Sequence, residues 1–309
     1  MILFSAIQPT GRLHLGNYLG AIRPWVSLIS SKFTLNGENK CPQQAHNIYF
    51  SLADLHALTS TSWTISSENN ISAAIQLIAC GLDPREFPFS LFRQSQERRK
   101  VHPNGTGSVS AGILTYPILQ AADILSTHVP IGEDQMQHLE LCKFLAKKLQ
   151  QSRSMREFPI PQPLITPKEK GGRVMSLNNP NKKMSKSDPD DFSRINIDDD
   201  HNVIYSKIKS ALTESNPRFD IPLKEMSPAM SNLITIYSAV NGSHSDITKF
   251  ASIQEFKKSL TDSIISTLQP IKAKIELLRC DEKIVQQILL VGEANARQRA
   301  QETIKLLKL

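Results

Sequence analysis

The 309-residue chain has no apolar stretch approaching the roughly 18 residues that a membrane-spanning helix needs. Cysteine is scarce: Cys41, Cys80, Cys142 and Cys280 lie far apart and form no CxxC pair. That spacing argues against a disulfide scaffold and against a zinc or iron–sulfur site, so the four read as reduced, mostly core thiols. There is no internal repeat and no low-complexity tract, and neither a signal peptide nor an Arg-rich presequence is visible in this numbering. The glycine spacing fits neither a Walker A loop nor a dinucleotide fingerprint.

What is present is an ordinary globular composition, 40% hydrophobic and 21% charged, at a length that suggests two domains. Such a chain can bury a core without covalent staples. The net charge of +7 and pI near 9.2 fit either plain solubility or a polyanionic partner.

The apolar pattern divides the chain. Ile2 to Ile7, Asn47 to Leu52, Phe89 to Phe92 and Val129 to Ile131 read as strands. Helices are expected over Leu15–Ile29, Ile71–Cys80, Pro117–Leu125 and Glu133–Gln150, with an exposed loop from Ser30 to Gln44. This alternation predicts a parallel sheet with its ligand at the carboxyl ends of the strands. Prolines at 159, 161, 163 and 167 rule out a long helix there, and Lys168 to Pro189 reads as a mobile loop. Beyond Asp199 the pattern is helical: Val203–Leu212, Ala229–Val240, Ile253–Leu268, Ile271–Leu278 and Lys283–Leu307.

Two motifs carry chemistry. Pro9-Thr10-Gly11-Arg12-Leu13-His14-Leu15-Gly16-Asn17 sits at a strand–turn–helix junction, where unpaired N–H groups suit phosphate. Its alternative reading is a capped helix after a tight turn. Lys183-Met184-Ser185-Lys186-Ser187 places two lysines and two serines in a Gly/Asn-rich loop that can fold over a triphosphate. Its alternative is a solvated basic loop. In this order, on either side of a parallel-sheet domain, the pair resembles the signature of class I aminoacyl-tRNA synthetases.

Three further segments resemble the tryptophanyl family: Phe4-Ser5-Ala6-Ile7-Gln8-Pro9-Thr10-Gly11, Leu114 to Leu125, and Val129-Pro130-Ile131-Gly132-Glu133-Asp134-Gln135. Val174-Met175-Ser176-Leu177 and Ser231-Asn232-Leu233 extend the likeness. The resemblance implies an α/β fold: a Rossmann-like, parallel-sheet nucleotide-binding domain over residues 1–187, then an all-α anticodon-binding domain over 188–309 whose last helix can pack back on the first. It implies that Gln8, His14, Leu15, Gly16 and Asn17 contact ATP. Gly132, Glu133 and Asp134 line the adenosine, Val174 lies against the adenine, and Lys183, Met184, Ser185, Lys186 and Ser187 hold the phosphates. His14, Asn17, Lys183 and Lys186 are the implied catalytic set, and no protein metal site is implied. Asp123 accepts the indole N–H of tryptophan, in a pocket lined by Phe4, Tyr116, Val129 and Gln135. His56 reads either as a pocket residue or as a satisfied core histidine.

A carboxylate suits that task, because the indole N–H is a donor only and a substrate lacking it would strand a buried charge. Tyr116 and Gln120 fall on the helical face of Asp123, although a helix-surface acid is the plain alternative. The implied partners are ATP with Mg²⁺, L-tryptophan, tRNA(Trp) and a second copy in a homodimer, with no membrane. The run of acids from Asp188 to Asp200 is expected to complement helix N-termini rather than to hold Mg²⁺.

The chain departs from the family between Gln96 and Ser108, where the family has a longer segment bearing helical material near the dimer interface and a lysine that reaches ATP. It is longer than bacterial members between Ser31 and Ala45, which points to a mitochondrial member acting in the matrix, against a bacterial-type cytoplasmic alternative. Two rival functions follow: a tyrosyl-type synthetase, whose phenol Tyr116, Gln120 and Asp123 could also meet, and a non-catalytic RNA-binding paralogue.

Overall fold

A computed structural model describes residues 2–31, 48–57, 66–97, 128–131, 136–151, 160–165, 173–214, 218–242 and 246–306. The expected loop over 30–44 is thus described only at its start, and the expected helix 117–125 lies outside the described residues.

The sheet has five parallel strands: β1 (Leu3–Ile7), β2 (Ile48–Leu52), β3 (Ser90–Arg93), β4 (His128–Ile131) and β5 (Gln162–Ile165), in the order β3-β2-β1-β4-β5. All five residues of β2 are buried, as a strand covered on both faces requires. Its Phe50 ring packs 5.1 Å from Trp25 and 5.4 Å from Phe89. β1 is central: the chain lays β2 and β3 outward on one side of it, then crosses back to lay β4 and β5 on the other. Its carboxyl end is therefore the topological switch point, where an open α/β sheet leaves a crevice.

The strand β5 is absent from the sequence reading, because Pro161 and Pro163 mask it. It lies at the sheet's edge, where a missing N–H leaves only one side of the ladder unserved.

The helix expected after the first motif is broken into three pieces. α1 (Leu15–Asn17) passes into a π-helical turn over Tyr18–Ile22 and then into α2 (Arg23–Ser31). Pro24 explains the break: it has no N–H to return to the carbonyl of Gly20, and the wider turn just before it accommodates the ring. Trp25 then takes the buried position expected of Val26.

Helices α3 (Asp54–Ala57), α4 (Ser67–Ala79), α5 (Gln94–Glu97) and α6 (Met136–Gln151) complete the first half. α4 starts four residues earlier than its apolar pattern, because Ser66 caps it by accepting from the Asn69 N–H. It stops where Gly81 takes a φ of 103°. Among the cysteines, Cys80 and Cys142 are buried as expected, but Cys280 is exposed at a helix end and Cys41 lies outside the described residues.

The second half is α7 (His201–Ser210), α8 (Pro228–Asn241), α9 (Ile253–Cys280) and α10 (Glu282–Leu306). The expected break at Pro270 does not occur; α9 runs through it. Leu260, Ile264, Leu268, Ile271, Ile275 and Leu278 stay in helical register across the proline and are all buried. Burying that stripe offsets the roughly 3 kcal/mol that an internal proline costs.

α9 packs on α4, and α10 lies on β3. Arg93 of β3 meets Glu293 of α10 at 2.5 Å, and Asn295 donates to Ser90 Oγ at 3.2 Å. Between them Gly292 comes so close to the strand that a Cβ there would sit 2.0 Å from the carbonyl oxygen of Leu91. Gly292→Ala should therefore destabilise the fold by about 1–3 kcal/mol, reversing the usual gain of alanine over glycine inside a helix. A urea titration of the two proteins checks this, and equal or greater stability of the alanine variant would refute the close contact.

Candidate active site

The chain leaving β1 crosses the switch point and enters the first motif. His14 caps the helix that follows. Its Nδ1 accepts from the Asn17 N–H at 3.2 Å, while Asn17 Oδ1 accepts from the His14 N–H at 3.2 Å. The ring is buried, 3% exposed. Because Nδ1 accepts, the proton of the neutral ring belongs on Nε2. Burial, with added repulsion from Lys186, Arg194 and Lys183, pushes the imidazolium down to about 3. His14 is therefore a neutral donor at physiological pH.

The second motif is a folded hairpin on its inner side, not the open loop that its composition suggests. Met184 N–H bonds Val174 O at 3.1 Å, Ser176 N–H bonds Lys182 O at 2.8 Å, and Met175 bridges Lys183. Side chains close the turn: Ser176 Oγ donates to Asn178 Oδ1 at 2.7 Å and accepts from the Asn179 N–H at 3.3 Å. Val174 and Met184 are each 2% exposed. Lys183 and Ser187 remain exposed, and Ser185 Oγ lies 3.0 Å from Ser187 Oγ. The part of the expected loop over 168–172 lies outside the described residues.

The two motifs meet. Leu15 N–H bonds Ile195 O at 2.8 Å and Ile197 N–H bonds Leu13 O at 3.0 Å, a bridge that pairs His14 with Asn196. Lys186 Nζ donates to the carbonyl of Gln8 at 3.1 Å. Loss of solvent around that amine pulls its ammonium down to about 8. At Gly16 a Cβ would lie 3.1 Å from the His14 ring and 3.4 Å from Val174 Cβ. Gln8, His14, Gly16, Asn17, Val174 and Lys186 thus converge, and Leu15 beneath them is fully buried.

The remaining predicted residues lie apart or outside. Phe4 is partly buried against Tyr49, Phe92 and Ala296; Val129 is buried with Leu139 and Cys142; His56 is half-buried on α3. Tyr116, Asp123, Gly132, Glu133, Asp134 and Gln135 fall outside the described residues.

Sequence reasoning missed the polar frame beneath the site. Asp199 pairs with the fully buried Lys207 at 2.7 Å and with Arg12 of the first motif at 3.0 Å. Asp191 meets Lys207 at 2.6 Å, and Asp198 pairs with Arg12 at 2.6 Å and with Arg279 of α9 at 3.2 Å. Asp190 caps the short turn Asp191–Ser193 by accepting from the Phe192 N–H, and Asp200 precedes α7 while pairing with Lys272. Capping was expected of this acidic run; the buried lysine was not. Asn232 of α8 was also missed as a contact, and its place on an apolar helix face was the available signal. Among the described residues, no group of three His, Cys, Asp or Glu side chains is placed to hold a metal ion.

Comparison with known proteins agrees with this geometry. The family model for class I tRNA synthetases (W and Y) matches residues 1–103 and 93–276. The chain belongs to that family. A tryptophan–tRNA ligase of Halalkalibacterium halodurans is 39% identical, over 98% of this chain and 95% of its own. The mitochondrial tryptophan–tRNA ligase of Dictyostelium discoideum is 35% identical, over 99% of this chain and 94% of its own. Among solved structures, the tryptophanyl-tRNA synthetase of Mycoplasma pneumoniae superposes with a TM-score of 0.78 at 29% identity, covering 99% of this chain and 96% of its own.

The two stretches matched by the class I synthetase model meet at 93–103, beside the expected short segment. The alignment with the Halalkalibacterium ligase spans 336 positions, more than this chain's 309 residues, so that relative carries residues with no counterpart here.

The state of His14 has a consequence for stability. Between about pH 6.5 and about pH 3 the unfolded chain binds a proton that the folded chain excludes, so stability falls as pH drops through that window. His14→Asn keeps a capping acceptor but cannot titrate. From pH 7 to pH 5 the wild type should lose about 1–2 kcal/mol more than the variant, read by urea unfolding at both values. Equal losses would show that His14 titrates normally.

Proposed function

We propose that this class I synthetase activates L-tryptophan with ATP and transfers it to tRNA(Trp), releasing AMP and pyrophosphate. The observation that carries the reading is the junction of the two motifs, in which Lys186 rests on the Gln8 carbonyl beside a buried, neutral His14. The choice of tryptophan is supported by the names of the relatives; a tyrosyl-tRNA synthetase structure from Aeropyrum pernix resembles the chain less, at a TM-score of 0.55. A related structure from Campylobacter jejuni, like in fold, was solved with ADP and tryptophan.

In this reading residues 1–187 bind the nucleotide and amino acid, and 188–309 the anticodon. The substrate carboxylate attacks the α-phosphorus, the bond to the bridging oxygen breaks, and pyrophosphate departs. The ribose hydroxyl of the terminal adenosine of tRNA then attacks the adenylate carbonyl and displaces AMP. No side chain forms a covalent intermediate, so positioning and charge stabilisation carry the reaction. Gly16 lets the nucleotide approach the backbone, and Val174 faces the adenine. His14 offers Nε2–H to a phosphate oxygen without competing for its proton. Mg²⁺ arrives on the triphosphate as part of the substrate.

The net charge of +7 serves the tRNA. A homodimer and a place in the mitochondrial matrix belong to the same reading, the latter supported by the Dictyostelium relative. ATP–pyrophosphate exchange with each amino acid is the direct assay. Exchange driven by tryptophan alone is expected; exchange with tyrosine, or with none, would favour one of the two rival functions.

Two substitutions sharpen the reading. Asp123→Ala should weaken tryptophan activation by about 2–4 kcal/mol in kcat/KM, the scale of a lost charge-assisted hydrogen bond with its donor left unpaired. An unchanged value would remove Asp123 from the pocket.

Lys186 already holds the Gln8 carbonyl before ATP arrives, and that bond must be given up for a phosphate. The exchange gains little in the resting complex and more as charge gathers on departing pyrophosphate. Lys186→Ala should therefore lower kcat for adenylate formation by about 10²–10³-fold, with KM for ATP changed much less. A raised KM with kcat intact would mark a plain docking surface instead.

A further inference from the structure

Asn232 lies on α8, on the helix face that carries the buried Met230, Leu233, Ile236 and Tyr237. A side-chain amide on such a face is costly unless both of its ends are bonded. Here both are. The Met175 N–H donates to Asn232 Oδ1 at 2.9 Å, and Asn232 Nδ2 donates to the Met175 carbonyl at 3.0 Å. A longer contact of 3.5 Å reaches the Ser176 carbonyl. The amide thus grips one peptide segment as a neighbouring strand would, through a donor and an acceptor together.

The gripped residue is the one whose other side bridges Lys183. Its neighbours form the flanking rungs of the same hairpin, Val174 with Met184 and Ser176 with Lys182. The hairpin carries Val174 on one arm and the Lys183–Ser187 motif on the other. At its far end, α8 is held from the first motif's side, where the Arg23 guanidinium donates to the Ala239 carbonyl. One helix therefore touches both the element that follows His14 and the arm opposite Lys183.

We infer that Asn232 is a positioning residue for adenylate formation: by clamping the Met175 peptide to α8, it sets the height of the Lys183–Ser187 arm over the phosphates. It touches no substrate and acts only through the hairpin. This inference rests on the reading of that hairpin as the phosphate-binding element.

The test uses the full chain. Asn232→Ala removes both bonds, and Asn232→Asp keeps an acceptor for the Met175 N–H but loses the donor. Ile236→Val, one turn along the same buried face, serves as a control that loosens the helix packing while leaving the amide in place. In tryptophan-dependent ATP–pyrophosphate exchange, Asn232→Ala should lower kcat by about 10–100-fold with KM for tryptophan unchanged, since one buried paired amide is worth that range. Asn232→Asp, which sets a carboxylate oxygen against the Met175 carbonyl, should lower kcat at least as far, and Ile236→Val should keep the wild-type kcat.

Amide hydrogen exchange provides a second reading that needs no catalysis. In Asn232→Ala the Ser176 and Met184 N–H groups, which the side chain does not touch, should lose protection along with Met175. If Asn232→Ala does not fold, Asn232→Asp carries both measurements. A wild-type kcat in the Asn232 variant, or a loss of protection confined to Met175, would overturn the inference. If the wild type itself shows no exchange, the proposed function fails, and the clamp is judged on the amide protection alone.

Discussion

Lys207 has no access to solvent, yet its ammonium sits 2.7 Å from Asp199 and 2.6 Å from Asp191. Stripping water from such charges is expensive, and the expense is recovered only where geometry and further hydrogen bonds are complete. Here they are. Asp199 also accepts from the Asn196 N–H at 2.9 Å and from Arg12 at 3.0 Å, and Asn196 is the residue that bridges His14. The buried ammonium therefore holds in place the segment against which the first motif is laid. A hydrophobic residue in place of Lys207 would leave two carboxylates facing one another with nothing between them.

The same economy governs the site itself. Much of it is tied down by its own hydrogen bonds: His14 Nδ1 by the Asn17 N–H, Lys186 by the Gln8 carbonyl, and the hairpin by its own turn and by Asn232. Burial keeps the imidazole neutral and weakens the hold of Lys186 on its proton. At neutral pH Lys186, at about 8, is still mostly an ammonium, while His14 is a neutral donor. Burial shifts both residues in the same direction, yet from such different starting values that one remains a charged donor and the other an uncharged one.

The motifs were legible in the sequence because they combine rare residue strings with turn chemistry. The strands were legible because buried parallel strands read as unbroken apolar runs. What escaped notice depended on partners distant in the chain. Proline at 161 and 163 ruled out a long helix but gave no sign of β5, whose place at the sheet edge makes them acceptable. Proline at 270 spoke for a break, and only the buried stripe on both sides overrides it. Lys207 looked like any basic residue near the end of a surface helix, since the acids that bury it come from a different stretch of chain. Gly292 carries no local sign that a strand carbonyl some two hundred positions earlier sits where its side chain would be.

That last contact sets an order of events for synthesis of the chain. β3 is synthesised early, but the partner of its outer flank, α10, is made last, and the Arg93–Glu293 pair spans 200 positions. Loop closure over such a distance is slow and comes late. A ribosome making this protein must extrude nearly all of it before the edge of the nucleotide-binding sheet is covered. Until then that edge offers unpaired backbone to any extended segment nearby, its own or another chain's.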